Sequence, residues 1–164
     1  MYNSVRDCAR HMKIDREDHY EAMIRLMDYC VSTPERGLLL APKGNWDGRD
    51  ASYEFEISVS ADSGYAKDLD SRRSITGVVT YLDGAPVLYR SSTQKMVSLS
   101  TTEAEMNAVV TGVQVALFVR SIVESLGLNV KLPMKVHNDN HGEIDLMKSI
   151  GGRTRHIEVK QNFL

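Results

Sequence analysis

Cysteine is scarce: there are two in 164 residues. Cys8 and Cys30 match no zinc or redox spacing, which argues against a disulfide scaffold and points to a reducing compartment. No apolar run approaches the roughly 20 residues that a bilayer-spanning helix needs. Met1–His11 is polar and charged, unlike a signal peptide. The expectation is therefore an intracellular protein, cytoplasmic or nuclear, with no membrane partner. Charge of one sign is also lacking. A net charge of −2 gives no global basic footprint, so any nucleic-acid binding has to use a local patch. Internal repeats and low-complexity tracts are absent. What is present, 42% hydrophobic and 26% charged residues, suits one compact globular domain with an appendage.

The chain is organised around Ser98–Val110, which reads as a helix N-terminus. Ser100 or Thr101 supplies the capping hydroxyl, and Glu103 or Glu105 the acid of a capping box. Apolar residues then recur at Ala104, Ala108, Val109, Val113, Ala116, Leu117, Ile122 and Val123, and Gly127 closes a helix that starts near Thr101. Two positions along a helix are about 200° of rotation. Glu103 and Glu105 therefore cannot share a face: one looks at the body of the domain, the other at water.

Before this helix, Met1–Ser32 reads as helical, with Tyr20, Met23, Ile24, Met27 and Cys30 as its apolar positions and Thr33-Pro34 as its stop. Residues 42–50 form a turn-rich linker in which Trp46 is expected to pack on a sheet edge. Tyr53–Val59 alternates as a half-buried strand, ended by Ala61-Asp62-Ser63-Gly64-Tyr65, with Tyr65 expected in the core. Ile75–Leu82 is a second strand, Asp83-Gly84 a hairpin turn, and Ala85–Ser91 a third strand. After the long helix, Met134–Asn138 is a short strand following Pro133. Its entry after a crossover helix predicts parallel pairing with an earlier strand. A further helix over Gly142–Lys148 and an element from Thr154 to Leu164 follow.

Three acids fall at places that this topology brings together. Asp62 ends the first strand, Glu105 begins the helix and Asp139 ends the fourth strand. Converging carboxylates repel unless a divalent cation lies between them. An all-oxygen set favours Mg²⁺ or Mn²⁺ over zinc. Such sites handle phosphodiesters with two metals about 4 Å apart. Taken singly, each acid also has a plain structural use: a turn at Asp62, a helix cap at Asp139, a surface position at Glu105.

A family likeness enters on these residues. Asp18-His19-Tyr20-Glu21-Ala22-Met23, Ser60-Ala61-Asp62, Asp68-Leu69-Asp70-Ser71-Arg72-Arg73-Ser74, Thr76-Gly77, Ser91-Ser92, Leu99–Glu105, Asp139-Asn140 and Arg153–Glu158 stand in the order found in the ribonuclease H domain of Ty1/copia-type retrotransposon Pol polyproteins, which the chain resembles. The resemblance implies an α/β, RNase H-like fold. Its mixed sheet has antiparallel strands one to three, a parallel strand four and flanking helices, and its fifth strand is missing. Residues 1–50 resemble the end of the reverse transcriptase region, and 51–164 an RNase H-like domain incomplete at its C-terminus. The implied activity is Mg²⁺- or Mn²⁺-dependent hydrolysis of the RNA strand of RNA–DNA hybrids, with Asp62, Glu105 and Asp139 as the catalytic, metal-binding acids. Gly64, Tyr65 and His141 depart from the family pattern.

Ser63, Arg72, Arg73 and Ser74 are expected to hold phosphates of the hybrid. Ser91 and Ser92 are placed to read the sugar edge, and Asn140 to bond the RNA backbone. Arg155 and His156, with Arg153, form a small basic group. Glu103, His141 and Glu158 are secondary candidates. The alternative is a non-catalytic, truncated or domesticated remnant that binds nucleic acid or a partner protein. Docking on a reverse transcriptase body, or self-association, would cover the open sheet edge.

Overall fold

The computed structural model describes residues 2–11, 16–38, 40–68 and 71–138. The chain divides into two units, Met1–Leu39 and Leu40–Leu164. The first holds α1 (Tyr2–Arg10) and α2 (Glu17–Ser32). Glu17 and Asp18 in the first turn of α2 complement its dipole. At its other end the Thr33 hydroxyl donates to the Tyr29 carbonyl, and Pro34 follows. None of the residues of α2 is buried.

The second unit is built from β1 (Glu54–Gly64), β2 (Ile75–Leu82), β3 (Ala85–Thr93), α3 (Thr101–Ser125) and β4 (Asn129–His137). The sheet runs β3-β2-β1-β4. The first three strands are an antiparallel meander, and β4 lies parallel to β1, as the crossover helix predicts. This mixed sheet with its helical layer is consistent with an RNase H-like fold. The hairpin turn holds Asp83 at φ 49° and Gly84 at φ 77°, the two positive φ values of a type I′ turn. Residues 40–50 belong to this unit. Lys43 N–H donates to Asp83 O, and Trp46 packs edge-on against Phe55 at 5.0 Å, with Tyr53 completing the cluster.

Two strands are longer than the sequence suggests. β1 does not stop at Val59. Its pairing with β2 continues through Ala61↔Val78, Asp62↔Gly77, Ser63↔Thr76 and Gly64↔Ile75. Ladder bonds from a neighbouring strand outweigh the turn-like composition of Ala61–Gly64. β4 begins before Pro133. The ladder steps from Lys131↔Glu56 to Lys135↔Ser58, and Pro133 sits in the resulting bulge, where its missing N–H is not required.

α3 is capped as predicted. Ser100 is the N-cap, its hydroxyl accepting from Glu103 N–H at 3.1 Å, while the Glu103 carboxylate accepts from Leu99 N–H at 2.8 Å. At the far end Gly127 at φ 76° allows a Schellman closure, with Gly127 N–H on Glu124 O and Leu128 N–H on Val123 O. Ser100→Ala should therefore cost about 1 kcal/mol of stability. Denaturant unfolding beside the parent chain measures this directly.

Much of the apolar stripe expected on α3 is buried: Ala104, Ala108, Val109, Ala116 and Val123. Gly112, Val115, Val119 and Val123 face the sheet, while Leu117 and Ile122 are exposed. Gly112 sets how closely the helix approaches the sheet. A Cβ there would sit 2.9 Å from Val59 Cγ1 and 3.3 Å from Ala61 Cβ, so only glycine lets the helix rest this close on β1. Ile57, Val59, Val78, Ala108 and Ala116 complete the core between sheet and helix. By length and composition alone α3 could cross a bilayer, against the sequence expectation, but its packed face is that of a core helix. Tyr65, expected inside, is exposed: it lies just beyond β1, in the turn after Gly64.

Candidate active site

The site forms where β1 and β4 end beside the start of α3. Strand alternation sets what each β1 residue can reach. Phe55, Ile57, Val59 and Ala61 point at α3, and Ser63 continues that row. Five residues beyond the N-cap, Glu105 turns inward and is only 8% exposed, while Glu103 stays at the cap. The separation of these two acids expected from helical rotation is thus realised, with Glu105 on the inner face.

Both oxygens of Glu105 are gripped. The Ser63 N–H donates to them at 3.2 and 3.1 Å, and the Ser63 hydroxyl donates to Oε1 at 3.0 Å. The Asn138 amide donates to Oε2 at 3.0 Å and, on its other side, to Ala61 O at 3.1 Å. Every group facing this carboxylate is a donor, which is what an acceptor-only side chain requires when buried. One carboxylate on α3 thus ties together the ends of two parallel strands.

Asp62 is the residue before Ser63. Covalent geometry puts its Cα within about 5.6 Å of the Glu105 oxygens. The regular β1 pleat, however, aims its exposed side chain at the opposite face of the sheet, alongside Ser58 and Ser60. On that face Lys135 of β4 lies opposite Ser58 and His137 opposite Ser60. Lys135 Nζ bonds both Glu56 oxygens at 3.0 Å. This bond, with the nearby charges of Lys131 and His137, holds the Glu56 carboxyl below its ordinary value. Among the described residues no group of three His, Cys, Asp or Glu side chains is placed to hold a metal. Asp139 lies outside the described residues, as do Asn140, His141, Arg153, Arg155, His156, Glu158 and the expected helix over 142–148.

The other expected ligand groups separate in the structure. Arg72 and Arg73 are exposed on the loop between β1 and β2, and Arg72 adopts φ 54°. That loop is knotted by buried Asp68, whose carboxylate accepts from Ser71 N–H and whose carbonyl accepts from Arg72 N–H. Ser74 corrects an expectation. It is fully buried, and its hydroxyl accepts from Ala66 N–H, so it shapes the loop from beneath and faces no phosphate. Ser91 and Ser92 are half-buried in β3, paired with Gly77 and Thr76. Ser63, expected to touch substrate, spends its hydroxyl on Glu105.

Two residues hold roles that the sequence does not assign to them. Asn138 stands at the end of the expected fourth strand, and Gln94 in the polar run 91–95 expected at the sugar edge. Gln94 is in fact 9% exposed and bonded to four neighbours. Periodicity carries no signal for a polar side chain that folds inward from a loop.

The chain is similar in sequence to transposon Pol polyproteins. The chain is 28% identical over 163 residues to the retrovirus-related Pol polyprotein from transposon RE2 of Arabidopsis thaliana, covering 98% of this chain and 11% of that protein. The likeness to the Pol polyprotein from transposon RE1 of the same plant is also 28%, over 98% of the chain and 10% of the relative. With the Pol polyprotein from transposon TNT 1-94 of Nicotiana tabacum it is 34% over 105 residues, 63% of this chain and 8% of that one. The chain is homologous to transposon Pol polyproteins. It spans about a tenth of the length of these relatives. A secreted RxLR effector protein of Plasmopara viticola is 33% identical over 100 residues, 61% of this chain and 64% of the effector. No protein-family profile matches the chain, and no solved structure does.

Proposed function

We propose that the unit from residue 40 onward is the ribonuclease H segment of a retrotransposon Pol polyprotein and hydrolyses the RNA strand of RNA–DNA hybrids. The observation that carries the reading is the grip on Glu105. Its donors are Ser63, which follows Asp62 in the chain, and Asn138, which precedes Asp139. The end of β1 that carries Asp62, the start of α3 and Asn138 after β4 therefore meet at the Glu105 carboxylate. Homology to Pol polyproteins supports the same reading.

Asp62, Glu105 and Asp139 offer carboxylate oxygens only, a donor set that fits Mg²⁺ or Mn²⁺. A cation held there would activate water and neutralise charge developing at the scissile phosphate. The chain's own residues supply position and a local basic surface. Ser63 and Asn138 fix the orientation of Glu105, and the β1 ladder fixes the backbone of Asp62. The exposed Arg72 and Arg73, on the loop that follows β1, offer the local positive charge that an overall charge of −2 requires for phosphate binding.

One observation favours a second reading, a non-catalytic remnant that binds hybrids or a partner protein. Glu105 already has its oxygens occupied, and the pleat turns the Asp62 side chain away from it. Cleavage of a labelled RNA–DNA hybrid by the purified chain, with Mg²⁺ and with a chelator, decides between them. Expected is RNA-strand cleavage that needs the metal and disappears in Asp62→Asn. Hybrid binding with no cleavage, or cleavage indifferent to Asp62→Asn, would leave the remnant reading.

A further inference from the structure

We propose that Gln94 is the positioning residue for Glu105. The inference deepens the reading above, but its geometric part stands without it. Gln94 leaves the end of β3 and folds under the start of α3. Its side-chain NH₂ donates to Ala104 O at 2.8 Å, the carbonyl of the residue just before Glu105, and to Thr76 Oγ1 on β2 at 3.1 Å. Its side-chain oxygen accepts from Ser98 Oγ at 2.8 Å and from Asn107 Nδ2 at 3.2 Å. A primary amide has two donor hydrogens and two acceptor lone pairs, and all four are used. Its backbone N–H donates to Ser74 O at 2.8 Å, which extends the link to the loop after β1.

One side chain therefore fixes the first turns of α3 against β2 and against the loop that precedes the helix. The capping of Ser100 closes the helix end but touches no strand, so it cannot set where the helix lies on the sheet. Apolar contacts are non-directional and tolerate small slides. The amide of Gln94 is directional, and it acts on the peptide that carries Glu105. The bonds from Ser63 and Asn138 to the Glu105 carboxylate depend on that placement.

The test uses the metal-free full chain first. In Gln94→Met, which keeps volume and removes all four bonds, amide hydrogen exchange at Ser63 should quicken by at least about tenfold, roughly the loss of one hydrogen bond. Exchange at Val59 and Val78, deeper in the same ladders, should stay within about twofold of a core control, Val115→Ala. Ser98→Ala, a milder change, should give a smaller effect of the same pattern and keeps the test open should Gln94→Met not fold. Equal acceleration at all three amides, or none at Ser63, overturns the proposal. Hybrid cleavage forms the second arm: kcat falls with KM nearly unchanged. If the parent chain cleaves nothing, the ribonuclease reading fails while the exchange data still decide the role of Gln94.

Discussion

Glu105→Gln should reduce hybrid cleavage by about three orders of magnitude, the equivalent of several kcal/mol of lost electrostatic stabilisation at the reacting phosphate. Two effects combine. The substitution removes a negative charge from the proposed metal site. It also places an NH₂ where every neighbour is a donor: Ser63 N–H, Ser63 hydroxyl and the Asn138 amide. Gln can satisfy one side and must confront the other, which costs about 1–3 kcal/mol of stability. Steady-state cleavage and thermal unfolding of the same preparation separate the two. Glu103→Gln is the comparison, because Glu103 serves the helix cap and its loss should leave turnover within about threefold. Equal losses for the two variants would contradict the division of labour between these acids.

Gly112→Val is expected to destabilise the chain by about 1–3 kcal/mol or more through overpacking. The new Cβ meets Val59 Cγ1 at 2.9 Å and Ala61 Cβ at 3.3 Å. Neither neighbour can yield cheaply. Val59 is fully buried with a stiff β-branched side chain, and Ala61 has no torsion to turn. Relief has to come from lifting α3 off β1. That motion also draws Glu105 away from Ser63, so activity should fall further than the stability loss alone explains. Gly112→Ala adds only the Cβ and recovers about 1 kcal/mol of helix propensity, and it should be the milder of the pair. Denaturant midpoints of both variants, with cleavage measured well below the transition, check the order.

Much of the fold was legible because its signals are local. Ile75–Leu82 alternates cleanly, Asp83-Gly84 has the residues a type I′ turn demands, and Ser100 with Glu103 announces the start of α3. The parallel placement of β4 follows from chain geometry once a crossover helix is granted. The extension of β1 to Gly64 was hidden, because Asp62-Ser63-Gly64 resembles a turn until β2 is there to pair with it. β4 was cut short by Pro133 for the same reason: a bulge is a property of two strands, not one. In the site, the inward aim of Glu105 could be read from helical rotation alone. Its partners could not. Ser63, Asn138 and Gln94 act across 42, 33 and 10 residues of sequence, where neither spacing nor propensity points to them.

The parallel pairing of β1 with β4 also sets a sequence of events in time. The meander β1-β2-β3 closes through short connections, whereas β1 waits for residues near 129–137 before its second neighbour exists. Loop-closure entropy favours the near contacts early and the distant pair late. The ring of donors around Glu105 is therefore complete only once Asn138 has reached the end of β1.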